Sequence, residues 1–77
     1  MQIVMGKSIH EKEYKKIINR LREARRDAGF SQQAVADKLC KPQSYVAKIE
    51  TEERRIDVAE IKKLAAIYKK AVSYFYE

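Results

Sequence analysis

Apolar residues recur along this chain at helical spacing, in blocks separated by short punctuating stretches. Tyr14, Ile17, Ile18, Leu21, Ala24 and Ala28 return every three or four residues, with Arg25 among them, and fall within about a third of a helical wheel. Ahead of them, Ser8-Ile9-His10-Glu11 places a hydroxyl at a cap position and a carboxylate three residues later, which predicts the helix start. Gly29, able to take the left-handed cap conformation, ends it. Residues 1–7, with Ile3-Val4-Met5 and Gly6, then read as a flexible N-terminal tail before a domain spanning 8–77. A short strand, a basic arm or a dimer contact are the alternatives for that tail.

The next block holds two short helices. Ser31 is a good N-cap, and Val35, Ala36 and Leu39 share one face of the helix it opens. Pro42 pushes Lys41 out of the helical region and itself suits the first turn of a new helix, so the break near Cys40 is about three residues long, the length of a helix-turn-helix connection. In the second helix Val46, Ile49 and Glu50 share a face, opposite Gln43, Ser44, Ala47 and Lys48. Amide, hydroxyl, methyl and ammonium groups match the donors, acceptors and thymine methyl of base edges. The same stripe equally fits a solvated helix face.

Downstream, Ile56 is a predicted core residue. Asp57-Val58-Ala59-Glu60 starts a fourth helix that buries Val58, Ile61, Leu64, Ala65 and Tyr68. Ser73 offers a cap for a last short helix, with Phe75 closing the core. Tyr74, Phe75 and Tyr76 are candidates for a dimer interface, where aromatic residues are favoured, with simple packing as the competing reading.

Composition narrows the function classes. A chain of 77 residues is one small domain with little spare core for a catalytic cavity or an effector pocket. Lys and Arg number 17 against 11 Asp and Glu, a net charge of +6, which favours a polyanionic partner. Charge alone fits DNA, RNA or an anionic membrane. The single cysteine, Cys40, and single histidine, His10, exclude an internal disulfide and a Cys/His zinc site, so no metal or cofactor is expected and a reducing cytoplasm is the natural location. They stand in different segments without a third partner, which argues against catalysis. His10-Glu11 lacks the second histidine of a metallohydrolase motif, leaving His10 as a solvated first-turn residue. No apolar run approaches the ~20 residues that cross a bilayer.

The run Gln32, Val35, Ala36, then Leu39, then Ser44 with Val46, then Ile49-Glu50 resembles the phage repressor/Cro, or XRE-like, helix-turn-helix family, over about Tyr14 to Phe75. The resemblance implies an all-α fold, a compact five-helix repressor-type domain in which helices 2 and 3 form the helix-turn-helix, binding duplex DNA as a dimer. Relatives typically carry glycine where Cys40 and Glu52 stand, so each turn either holds a side chain at positive φ, at a cost of about 1 kcal/mol, or differs locally from the family.

Arg25 and Glu50 lie on inward apolar faces, where each is costly unless paired, so the two are expected to meet. The resemblance implies the same bridge; a snorkelling Arg25 is the alternative. If the third helix lies in the major groove, Gln43 is the best base reader, with Ser44, Ala47 and Lys48 beside it. Gln32, at a helix N-terminus, is placed for a phosphate, and in the family its position also braces the residue at Gln43. Lys41, Tyr45, Thr51, Arg54 and Arg55 are the expected contacts to the DNA backbone, with a base contact or a simple cover for the core edge as the alternatives for Tyr45. The expected role is a transcriptional regulator, a repressor, on a palindromic operator. An RNA-binding or protein-interaction module on the same basic surface is the alternative. A stand-alone phage or prokaryotic regulator and a fragment of a longer one both fit.

Overall fold

The computed structural model describes residues 2–77, with side-chain surroundings from residue 11 onward. Four α-helices follow one another, α1 (Gln2–Asp27), α2 (Gln32–Leu39), α3 (Gln43–Glu50) and α4 (Val58–Tyr68), and a 3-10 segment spans Val72–Tyr76. Among the described residues there is no strand. The expected fifth α-helix is therefore a five-residue 3-10 helix. Its N-cap is Ala71, with no side-chain cap bond, and Ser73 lies inside it rather than opening it.

The helix boundaries follow local chemistry. Ser31 Oγ accepts from the Ala34 N–H at 3.0 Å. Asp57 and Glu60 form a reciprocal capping box, Asp57 Oδ1 accepting from the Glu60 N–H at 2.8 Å and Glu60 Oε1 from the Asp57 N–H at 3.0 Å. The Ser8 start does not hold: α1 begins at Gln2, so Ser8 and Gly6 are inside the helix and residues 2–7 of the expected tail have helical backbone. The side chains of Ser8 and His10, on which two expectations rested, lie outside the described residues.

All four α-helices end the same way. A residue with left-handed backbone donates its N–H three residues back, and the next N–H reaches five back, the Schellman pattern. Gly29 serves α1 (φ 79°), Cys40 α2 (φ 58°), Glu52 α3 (φ 67°) and Lys69 α4 (φ 59°). The paired bonds run Gly29 to Arg26 and Phe30 to Arg25, Cys40 to Asp37 and Lys41 to Ala36, Glu52 to Ile49 and Glu53 to Lys48, Lys69 to Ala66 and Lys70 to Ala65. Cys40 and Glu52 thus keep the positive-φ turns although neither is glycine. Two saturated carbonyls per helix end offset the local strain of the side chain.

The core is continuous. Ile18, Leu21 and Ala24 of α1 meet Val35 and Ala36 of α2, Val46 and Ile49 of α3, Ile61, Leu64, Ala65 and Tyr68 of α4, and Ile56 and Phe75 from the connections. α2 lies against α3, while α1 runs across α3, α4 and the 3-10 segment. Two expected core positions point outward: Ala28 is exposed and Val58 is 60% exposed. Both occupy helix ends, where the wheel no longer predicts the buried face; Val58 is the first residue of α4 and the core begins one turn later.

Candidate nucleic-acid interface

One side of α3 is anchored and the other is open. Val46, Ile49 and Glu50 are buried, whereas Gln43, Ser44 and Lys48 are exposed and Ala47 is half-buried beside them. The four side chains expected to read bases therefore share a free surface of a helix whose back is fixed in the core. Pro42 precedes α3 with extended backbone (φ −71°), and Cys40 turns the chain between the two helices.

Glu50 holds that back face in place. Only 4% exposed, its carboxylate accepts from Arg25 twice, Nε to Oε2 at 2.7 Å and Nη2 to Oε1 at 3.0 Å. This is the two-pronged arginine geometry that makes a buried charge pair tolerable. Arg25 also donates to the Phe30 carbonyl at 2.9 Å. Arg22 stands behind the pair, its Nε 3.8 Å from Glu50 Oε1 and its guanidinium donating to the Glu50 carbonyl. The hydrogen bonds to Glu50 outweigh burial and hold Arg25 above its ordinary range. Burial first, and then the Glu50 charge, push the nearby Tyr68 hydroxyl well above its usual value.

From Glu50 the network runs outward to the open face. Gln32, the first residue of α2, donates through Nε2 to Glu50 Oε1 at 2.9 Å. Its own Oε1 accepts from Gln43 Nε2 at 2.6 Å. Every buried side-chain nitrogen and oxygen among the described residues has a partner. Arg25, Glu50, Gln32 and Gln43 thus form one chain of contacts from the core to the surface.

A family model described as Helix-turn-helix matches residues 21–75, the type found in phage repressors and Cro. The chain belongs to the XRE-type helix-turn-helix family. With the family comes its general role, a DNA-binding transcription regulator. No curated protein and no solved structure gave a significant match to the chain.

Around the helix-turn-helix, the residues expected at the DNA backbone occupy two different situations. Lys41 and Thr51 are exposed at the two ends of α3; Thr51 Oγ1 bonds to Glu53 at 3.1 Å. Tyr45 and Arg54 are half-buried and tied into the domain. The Tyr45 hydroxyl donates to Glu60, and its ring lies under Arg54 at 4.4 Å and Lys41 at 5.3 Å. Arg54 pairs with Glu60 at 3.1 Å and donates to the Arg55 carbonyl at 2.9 Å. Burial, then the bond to Glu60, push the Tyr45 hydroxyl up to about 12. Arg55 is exposed but rests on the Tyr14 ring at 4.0 Å.

Three residues do more than their place in the pattern implies. Glu60, a cap by position, also collects Tyr45 and Arg54. Tyr14, a core residue by spacing, accepts the Ile56 N–H at its hydroxyl. Arg22 joins the Glu50 cluster, and its spacing of three from Arg25, which puts both on one face, is the sequence signal for it.

Of the three dimer candidates, Phe75 is corrected: it is 0% exposed inside the single chain and has no surface to offer. Tyr74 is half-buried, edge-on to Phe75 at 5.1 Å and flanked by Arg20 and Lys70. Tyr76 is 51% exposed. An open groove of about 260 Å³ lies between the end of α2 and α4, lined by Leu39, Lys41, Tyr45 and Lys63 among others. Among the described residues no group of three or more His, Cys, Asp or Glu is placed to hold a metal ion, and no helix is long and apolar enough to cross a membrane.

Proposed function

We propose that this protein is a sequence-specific repressor that occupies a palindromic operator as a homodimer in the cytoplasm. The observation that supports this reading is the face of α3 on which Gln43, Ser44 and Lys48 stand exposed while Glu50 on the reverse face is locked to Arg25. A rigid rod with a polar edge is what insertion into the major groove requires. Gln43 reads adenine through its amide, Ser44 a neighbouring base, Ala47 a thymine methyl and Lys48 guanine acceptors. Gln32 keeps one N–H for a phosphate, helped by the first N–H groups of α2, which have no partner within the helix. Lys41, Tyr45, Thr51, Arg54 and Arg55 supply the remaining backbone contacts, Tyr45 chiefly by positioning the two cations on its ring.

One domain covers roughly four to six base pairs, so a dimer on two half-sites about 34 Å apart gives a workable specificity. The aromatic end formed by Tyr74 and Tyr76 is the surface proposed for that dimer. The test is selection of bound sites from a random duplex library, with gel shifts on duplex DNA and on A-form RNA of the same sequence. A selected palindrome with RNA bound no better than random DNA is expected. Preferential RNA binding would sink the reading, since the deep, narrow groove of A-form RNA does not admit the helix.

A further inference from the structure

The contacts behind Gln43 have a direction. Glu50, ionised against Arg25, can only accept hydrogen bonds, so the Gln32 amide must present its nitrogen to Glu50 Oε1, as it does at 2.9 Å. That leaves the Gln32 oxygen facing α3, where only a donor is welcome, and Gln43 Nε2 supplies it at 2.6 Å. One N–H of Gln43 is consumed on the inside. Outward it shows one oxygen acceptor and one remaining N–H.

We infer that Glu50, which faces the core, determines which base Gln43 accepts, by fixing the polarity of two amides in series. The inference rests on the proposed reading that Gln43 faces a base edge. Adenine displays one donor, N6, and one acceptor, N7, the complement of what the locked amide offers. Guanine displays two acceptors, N7 and O6, and would set O6 against the Gln43 oxygen. A free glutamine amide turns over easily and could instead give both N–H groups to guanine. Glu50 is thus a positioning residue for base choice.

The arrangement predicts a loss of polarity. Arg25 donates to both oxygens of Glu50, so in Glu50→Gln either end of the introduced amide can face Gln32 and the direction of the series is no longer imposed. Where the nitrogen faces Gln32, Gln32 turns over, its nitrogen donates to Gln43, and both N–H groups of Gln43 are free for guanine. Gln32→Met cuts the series while leaving the Arg25–Glu50 pair whole, so the test does not depend on how well Glu50→Gln folds.

The experiment is selection from a random duplex library with the full-length wild type, Gln43→Ala, Gln32→Met and Glu50→Gln, with random-duplex binding and thermal melting measured in parallel. In the wild type, adenine is expected over guanine by about tenfold or more at the position that Gln43→Ala erases. Gln32→Met should bring the two bases within about threefold there, and Glu50→Gln should likewise narrow the preference for adenine; a loss of stability alone would weaken every position alike and leave the ratio of the two bases unchanged. Unchanged adenine preference in both variants, or guanine in the wild type, overturns the inference and leaves base reading by Gln43 intact. If Gln43→Ala erases no position at all, the base-reading assignment fails and the inference with it.

Discussion

The hydroxyl of Tyr14 in α1 accepts the backbone N–H of Ile56, 42 residues away in sequence, at 3.0 Å. Ile56 is buried at 9% exposure, in the connection between α3 and α4, where no helix or sheet supplies a partner for that N–H. The same ring carries Arg55 at 4.0 Å. One α1 side chain therefore ties down the loop that follows the reading helix. Tyr14→Phe keeps the ring and removes the acceptor, leaving a buried donor unpaired at a cost of about 1–3 kcal/mol. A drop of that size in urea denaturation is expected, with the far-UV circular dichroism unchanged. An unaltered midpoint would mean that the loop is held by packing alone.

Arg25 and Glu50 are the most demanding pair in the molecule. Truncating one partner of a buried ion pair costs about 3–5 kcal/mol because the other charge is stranded. Arg22, 3.8 Å from Glu50 Oε1, supplies part of the missing charge if Arg25 is removed, whereas nothing comparable serves Arg25 if Glu50 is removed. Glu50→Ala is therefore expected to destabilise more than Arg25→Ala in denaturant titrations. The opposite order would show that Arg22 does not reach the carboxylate.

How far the sequence disclosed this arrangement depended on the kind of signal. Ser31, Pro42 and the Asp57–Glu60 box are local devices, and they marked α2, α3 and α4 close to where these helices begin. The Arg25–Glu50 meeting was legible because two isolated opposite charges sat on apolar faces, where each needs a partner. The link from Glu50 to Gln32 was not, since it depends on the angle at which α2 crosses α3, and no spacing encodes that angle. The start of α1 was misplaced because a capping-box pattern inside a helix is indistinguishable from one at its end. The 3-10 helix at Val72–Tyr76 replaced an α-helix because so short a segment gains few intrahelical bonds and is shaped by where Phe75 must insert.

Lys69 ends α4 with φ 59°, and no glycine signalled it. The residue is exposed and lies outside the proposed reading and backbone residues, which makes it a clean probe of the strain carried at three of the four helix ends. Left-handed backbone costs a non-glycine residue about 1–2 kcal/mol, part of which glycine returns as extra freedom in the unfolded chain. Lys69→Gly should stabilise the domain by about 1 kcal/mol and raise Tm by about 4–8 °C. A lower Tm would show that the lysine side chain contributes more than its backbone costs.

Glu60 makes stability depend on acid. Burial acts to raise its carboxyl, but the bonds from Tyr45, from the Asp57 N–H and from Arg54 prevail and hold it below the ordinary 4.5. A folded value below the unfolded one stabilises the domain at pH above 4.5, and that contribution disappears as pH falls through the folded value. Glu60→Gln is therefore expected to be less stable than the wild type near neutrality, with the gap closing on acidification. A gap that stays constant across urea titrations at descending pH would rule out the linkage.

The proposed division between reading and gripping is testable by salt. Gln43, exposed at the start of α3, is assigned to a base, whereas Arg55, exposed and propped on Tyr14 at 4.0 Å, is assigned to phosphate. A base contact adds affinity only on the right sequence, while a phosphate contact releases counterions on every sequence. Gln43→Ala should lose about 1–3 kcal/mol on the selected site, leave random duplex binding almost unchanged and keep the slope of log affinity against log salt. Arg55→Ala should weaken selected and random duplexes alike and reduce that slope by about one. Fluorescence anisotropy at several salt concentrations separates the two patterns. Equal losses on both duplexes for both variants would mean that neither residue does what its position in the helix-turn-helix assigns to it.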